Sequence, residues 1–161
     1  MKNFSFHTPT KILFGKGQIE NLGKEIKPYA KKVLLAYGGG SVKKIGLYDK
    51  TISILKENGI EFIELSGIEP NPKIESVRDG VKLCRENNLE AIVAIGGGSV
   101  IDCSKAISAS IDYKGDPWDI LLDSRLITSA IPIFTVLTLS ATGTEMNGNA
   151  VVSNMETNDK K

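Results

Sequence analysis

The stretch Ala91–Asp102, AIVAIGGGSVID, decides how the rest of the chain is read. Five small or branched apolar residues run consecutively, then three glycines, a serine and the start of an amphipathic segment. Apolar residues without polar alternation mark a strand covered on both faces, as in parallel sheets. A strand that ends in glycine and opens directly into a helix leaves bare N–H groups at the sheet's carboxyl edge, together with the positive end of a helix dipole. Glycine also removes the side chains that would hold a phosphate away from them. Gly97, Gly98 and Ser99 are therefore candidate pyrophosphate ligands, through their amides and the Ser99 hydroxyl. The other reading is a tight strand-to-helix turn with Ser99 as its N-cap. The spacing is not that of G-x-G-x-x-G, and no Lys-Ser or Lys-Thr follows the last glycine as in a P-loop.

The same pattern stands earlier in the chain, at VLLAYGGGSVKK (Val33–Lys44). Sites that prefer the unphosphorylated dinucleotide carry an acidic residue after such a strand. Here Gly39 and Ser41 occupy the junction, with Lys43 and Lys44 close behind. A 2′-phosphate would meet amides, a hydroxyl and two ammonium groups, which favours NADP over NAD. A plain glycine turn with exposed lysines is the alternative. A third element, TLSATGTEMN (Thr138–Asn147), gathers hydroxyls at Thr138, Ser140, Thr142 and Thr144. It suits ribose, phosphate or nicotinamide, and equally a structural Ser/Thr loop.

Working outward, strand-like runs are expected at Lys11–Phe14, Val33–Tyr37, Glu61–Leu65, Ala91–Ile95, Pro132–Leu137 and Asn149–Ser153. Ile74, Val77, Val81 and Cys84 recur at helical spacing, with Asn71-Pro72 ahead as N-cap and first helical residue. Tyr48, Ile52 and Leu55 mark another helix, closed by Asn58-Gly59, and Val100, Ile107 and Ile111 a third. Alternating strands and helices imply an α/β fold, a Rossmann-like parallel sheet with helices on both faces.

The 161 residues carry a net charge of +1, with acids and bases interspersed. That argues against nucleic acid, which needs a basic face. No apolar run reaches the roughly 18 residues of a membrane span, and the N-terminus lacks a signal-peptide core. A cytoplasmic protein with two reduced cysteines, Cys84 and Cys103, is expected. The single histidine, His7, and the absence of metal-ligand spacing leave no metal site to read, and no nucleophile-base pair assembles. Asp102 and Lys105 read as a local ion pair worth a few tenths of a kcal/mol.

Taken together, NFSFHTPTKILFGKG, YGGGSVKK, GIEPNPKIESVRDGV, AIGGGSVIDCSKAI, DPWDIL and LTLSATGTEMN resemble the iron-containing, group III alcohol dehydrogenases. Among them the likeness is greatest to the NADPH-dependent butanol dehydrogenase and aldehyde reductase branch. The resemblance runs along essentially the whole chain, in order. It implies a dehydroquinate synthase-like N-terminal domain over residues 1–161, one part of a protein of roughly 390 residues, a two-domain length. An all-helical domain would follow beyond Lys161, carrying the family's metal ligands for iron or another divalent metal such as zinc. That metal would polarise the oxygen of a small alcohol or aldehyde while hydride passes to or from the nicotinamide.

The resemblance also implies cofactor contacts. Gly39 and Ser41 would lie at the 2′-phosphate, Asn71 at ribose and phosphates, and Gly97, Gly98 and Ser99 at the pyrophosphate. Asp102 would lie near the nicotinamide, Thr138 and Thr142 by the diphosphate and adenine, and Asn149 and Lys160 at the nicotinamide ribose. Relatives often carry a threonine where Leu139 stands, so at Leu139 only the backbone N–H matches. A homodimer is implied, with Phe4–Gly15 as the interface candidate, and the fragment alone is expected to be inactive and to self-associate. The alternatives are a stand-alone nucleotide-binding module and a glycerol dehydrogenase-like relative.

Overall fold

The computed structural model describes residues 7–161. A 3-10 turn, Gln18–Asn21, runs into the short helix α1 (Leu22–Ile26). Then follow β1 (Lys32–Tyr37), α2 (Ser41–Lys44), α3 (Leu47–Glu57), β2 (Glu61–Leu65) and α4 (Ile74–Asn87). The chain continues through β3 (Ala91–Gly96), α5 (Gly98–Ser110), α6 (Pro117–Leu122) and β4 (Ile133–Leu137). It closes in a small antiparallel hairpin, β5 (Ser153–Asn154) with β6 (Asp159–Lys160).

The four long strands form one parallel sheet in the order β2-β1-β3-β4. The chain steps outward from β1 to β2, then returns to place β3 on the other side of β1. The strand order therefore reverses between β1 and β3, and this switch point is where open α/β sheets leave a crevice for ligands.

Alternate side chains of β1 and β3 feed two cores. Leu34, Ala36, Ile92 and Ala94 pack with Val77, Val81 and Cys84 of α4 and with Ile101, Cys103 and Ile107 of α5. Val33, Leu35, Val93 and Ile95 pack on the opposite face with Leu22, Ile26, Ile54 and Leu55. The consecutive apolar spelling of these strands is thus explained by burial on both sides, at about 1.5–3 kcal/mol per large aliphatic side chain. Gly80 lets α4 lie close on α5, because a Cβ there would stand 2.3 Å from Ile107 Cδ1. Asp116 caps α6 by accepting from Trp118 N at 2.8 Å, with Pro117 at the first helical position.

Three expectations are corrected. Lys11–Phe14 forms no strand. Lys11 bonds Glu25 of α1 and Thr10 bonds the carbonyl of Glu145, so the segment crosses the surface away from a sheet edge, with Phe14 94% exposed. Phe4–Phe6 of the expected interface lie outside the described residues. Asn149–Ser153 is strand only at Ser153, because Lys105 takes the carbonyl of Asn149 and Asp102 the N–H of Val151. Finally, Lys73 is the N-cap of α4, not Asn71. Asn71 sits at φ 56, since Pro72 disfavours the right-handed helical region before it and asparagine tolerates the left-handed one.

Candidate functional site

Tyr37, the last residue of β1, pairs with Ile95 of β3, so the two glycine junctions emerge side by side at the switch point. Neighbouring strands lie about 4.8 Å apart, which puts both junctions within reach of one elongated ligand. The segment leaving β2 ties them together. Gly67 N donates to Gly38 O at 3.1 Å, Ile68 N to Tyr37 O at 3.3 Å, and Asn71 N to Ser99 Oγ at 3.3 Å.

The glycines divide by what surrounds them. A Cβ on Gly38 would meet Ile68 O at 3.0 Å and one on Gly96 would meet Val100 Cγ2 at 2.7 Å, so these two serve close packing. A Cβ on Gly39 or Gly40 would meet nothing within 4 Å. Their missing side chains leave open space above the end of β1, the cradle an anionic group needs.

Gly97, not Ser99, is the N-cap of α5, and no side chain caps that helix. The Ser99 hydroxyl instead accepts from Asn71. Val100 N and Ile101 N donate to Gly97 O at 3.1 and 3.3 Å, which leaves the N–H groups of Gly98 and Ser99 without a partner within the helix. The hydroxyl-rich loop roofs it: Thr138 N donates to Gly96 O at 3.0 Å, and a Cβ on Gly98 would lie 3.1 Å from Thr142 Oγ1. Leu139 reaches the same junction, its Cβ 4.0 Å from where a Gly97 Cβ would stand, with the residue 64% exposed.

The hairpin completes the rim. Ser153 N donates to Pro72 O at 2.8 Å, which seats β5–β6 on the Asn71 turn and brings Lys160 Nζ to 2.7 Å from Asn71 Oδ1. The structure therefore gathers Asn71, Gly97, Gly98, Ser99, Thr138, Leu139, Thr142 and Lys160 around the β3 junction, and sets Gly39 and Ser41 on the adjoining strand end. Asn149 lies lower, its carbonyl on Lys105.

Asp102 and Lys105 form far more than a surface pair. Their side chains are 16% and 14% exposed, 3.6 Å apart, and both engage the loop after β4. Asp102 accepts from Thr144 Oγ1 at 2.5 Å and from Val151 N at 3.3 Å. Burial pushes the Lys105 ammonium down from its ordinary range, with the Asp102 charge opposing that shift.

A second cluster, absent from the sequence reading, stands behind the β1 junction. Glu64 of β2 accepts from Tyr37 Oη at 2.5 Å and Tyr48 Oη at 2.8 Å. Lys43 Nζ lies 5.2 and 4.5 Å from the Tyr37 and Tyr48 ring centres. The tyrosine hydroxyls hold the Glu64 carboxyl low, and Glu64 in turn raises Tyr48 to about 12. Glu64 of β2 thus joins β1 and α3 across 27 and 16 positions of sequence, a pairing that no spacing rule foretells.

Among the described residues no group of three or more His, Cys, Asp or Glu could hold a metal ion. Cys84 and Cys103 are buried free thiols, each pushed up to about 12 by burial. The described residues thus do not fit a metal centre.

The fold and site define a parallel α/β domain with two glycine junctions converging on a switch-point crevice. The chain belongs to the iron-containing alcohol dehydrogenase family, whose model matches residues 9–161. It is 56% identical over 160 residues to the NADH-dependent butanol dehydrogenase A of Clostridium acetobutylicum, covering 99% of this chain and 41% of that one. It is 49% identical over 164 residues to the NADPH-dependent aldehyde reductase YqhD of Escherichia coli, covering 100% and 42% respectively. The crystal structure of NADH-dependent butanol dehydrogenase A from Thermotoga maritima superposes with a TM-score of 0.96 at 51% identity, over 99% of this chain and 40% of that one. The chain thus spans about two fifths of the length of these relatives.

Proposed function

We propose that residues 1–161 are the dinucleotide-binding part of an NADP(H)-dependent alcohol dehydrogenase interconverting primary alcohols, such as butanol, with their aldehydes. The observation that carries this reading is the pairing of β1 with β3, which sets two side-chain-free junctions beside each other. When bound, the nicotinamide supplies the hydride chemistry. The chain's own part is to hold and aim it. Amides of Gly97–Ser99 and the dipole of α5 receive the pyrophosphate. Asn71 and Lys160 close one rim, and the loop from Thr138 to Thr142 the other.

At the β1 junction the open Gly39–Gly40 surface, the exposed Ser41 and Lys44 suit a 2′-phosphate, while the Glu64 carboxylate is occupied by two phenols. Relatives named for NADH and for NADPH both stand near this chain, and this neutral junction favours the phosphorylated form. Metal and substrate groups come from elsewhere in the full-length enzyme, iron or another divalent ion being the family expectation. The enzyme acts as a homodimer in the cytoplasm, without nucleic acid or membrane partners. In support, no helix among the described residues is long and apolar enough to cross a membrane, and Ile12, Leu13 and Phe14 stand exposed for a partner.

The test is steady-state oxidation of butanol by the full-length enzyme with each dinucleotide. A higher kcat/KM with NADP supports the reading. Activity with NAD alone contradicts the cofactor assignment, and none with either contradicts the reaction.

A further inference from the structure

We infer that Lys105 is a positioning residue for the dinucleotide reaction, fixing the hydroxyl-rich loop and Asp102 in a single arrangement over the β3 junction. The inference rests on the dinucleotide reading above. Lys105 lies on α5 one turn beyond Asp102, its side chain 14% exposed. Its ammonium donates to Thr144 O at 2.8 Å, Thr144 Oγ1 at 2.5 Å, Asn147 O at 3.2 Å and Asn147 Oδ1 at 3.4 Å, and to the carbonyl of Asn149. An ammonium has three N–H groups, so these acceptors share them. Three main-chain carbonyls from one loop thus turn inward on a single partly buried cation.

That arrangement leaves the loop few alternatives. Moving it would strand a charge away from water and leave carbonyls unpaired, both costly inside a protein. The Thr144 hydroxyl accepts from Lys105 and gives its only proton to Asp102 Oδ1, so ammonium, hydroxyl and carboxylate are ordered in one direction. Asp102 is held from its other oxygen by Val151 N. The same loop approaches the start of α5, where Thr142 Oγ1 and Thr144 Cγ2 lie 3.1 and 3.6 Å from a Cβ built on Gly98. Lys105 therefore sets the distance between the loop and the amides that receive the pyrophosphate.

Arg85 provides the comparison. It too clamps main-chain carbonyls, those of Ser110, Ile111 and Tyr113, but at the far end of α5. In the full-length enzyme, Lys105→Met is expected to raise the KM for the dinucleotide and its Kd by tenfold or more, with the KM for butanol within twofold of the parent. Lys105→Arg should restore dinucleotide affinity to within a few-fold. Arg85→Met should lower the melting temperature without moving either KM. If Lys105→Met binds the dinucleotide as the folded parent does, or if Arg85→Met weakens binding equally, the inference fails. Should Lys105→Met not fold, Thr144→Val decides: a several-fold rise in dinucleotide KM supports the inference and an unchanged KM overturns it. A parent enzyme that binds no dinucleotide overturns the functional reading itself, a separate result.

Discussion

Lys160 Nζ donates to Asn71 Oδ1 at 2.7 Å across 89 positions of sequence, and the Asn71 main chain in turn donates to Ser99 at the head of α5. Three segments that share no periodicity are thereby fixed at one rim. Lys160→Met should weaken NADPH binding several-fold in a fluorescence titration. Because Lys160 is exposed, the melting temperature should move by no more than about 0.5 kcal/mol would move it.

Glycines at the site and in the core should respond oppositely to alanine. Gly80→Ala gains about 1 kcal/mol of helix propensity but forces a methyl against Ile107, an overpacking cost of about 1–3 kcal/mol. Urea melts should show a net loss of about 1 kcal/mol and unchanged dinucleotide affinity. Gly39→Ala meets nothing within 4 Å, so stability should hold while NADPH affinity falls about tenfold.

Gly39→Asp tests the cofactor assignment. A carboxylate at the end of β1 repels a 2′-phosphate and accepts from a ribose hydroxyl. The ratio of kcat/KM for NADP over NAD in the full-length enzyme should drop by at least tenfold.

The phenol cluster makes a pH prediction. Tyr48 is raised to about 12 chiefly by its hydrogen bond to Glu64, so its contribution to stability is complete below pH 10 and lost as pH rises through about 12. Glu64 is held low chiefly by Tyr37, so its share is present above the ordinary carboxylate range and lost as pH falls through the depressed value. Tyrosinate absorbance should show Tyr48 ionising near 12, and Glu64→Gln should return it toward 10.

Both cysteines should be silent. Cys84 and Cys103 are 2% and 0% exposed with thiols pushed up to about 12. A thiol reagent at pH 8 should label neither in the native chain and both after unfolding.

The parallel sheet was legible because Val33–Tyr37 and Ala91–Ile95 are apolar at consecutive positions, and burial on both faces leaves that spelling few other meanings. The glycine junctions were legible because a strand-to-helix turn requires fewer glycines than stand there. Lys11–Phe14 misled because β-favouring residues form strands only beside an edge, and this segment meets α1 instead. Asn71 misled because Asn-Pro ahead of a helix resembles a cap, although the proline confines the asparagine to a turn. Lys105 was undervalued, since its main partners at Thr144, Asn147 and Asn149 sit in a loop with no period to reveal them.

Titration calorimetry of the chain with NADPH, run on the parent, Gly39→Ala and Gly98→Ala, tests most directly whether two adjacent strand ends receive one dinucleotide. One binding event per chain, weakened by substitution at either junction, is the predicted result. No heat from a folded parent, or binding indifferent to one of the two junctions, would contradict it.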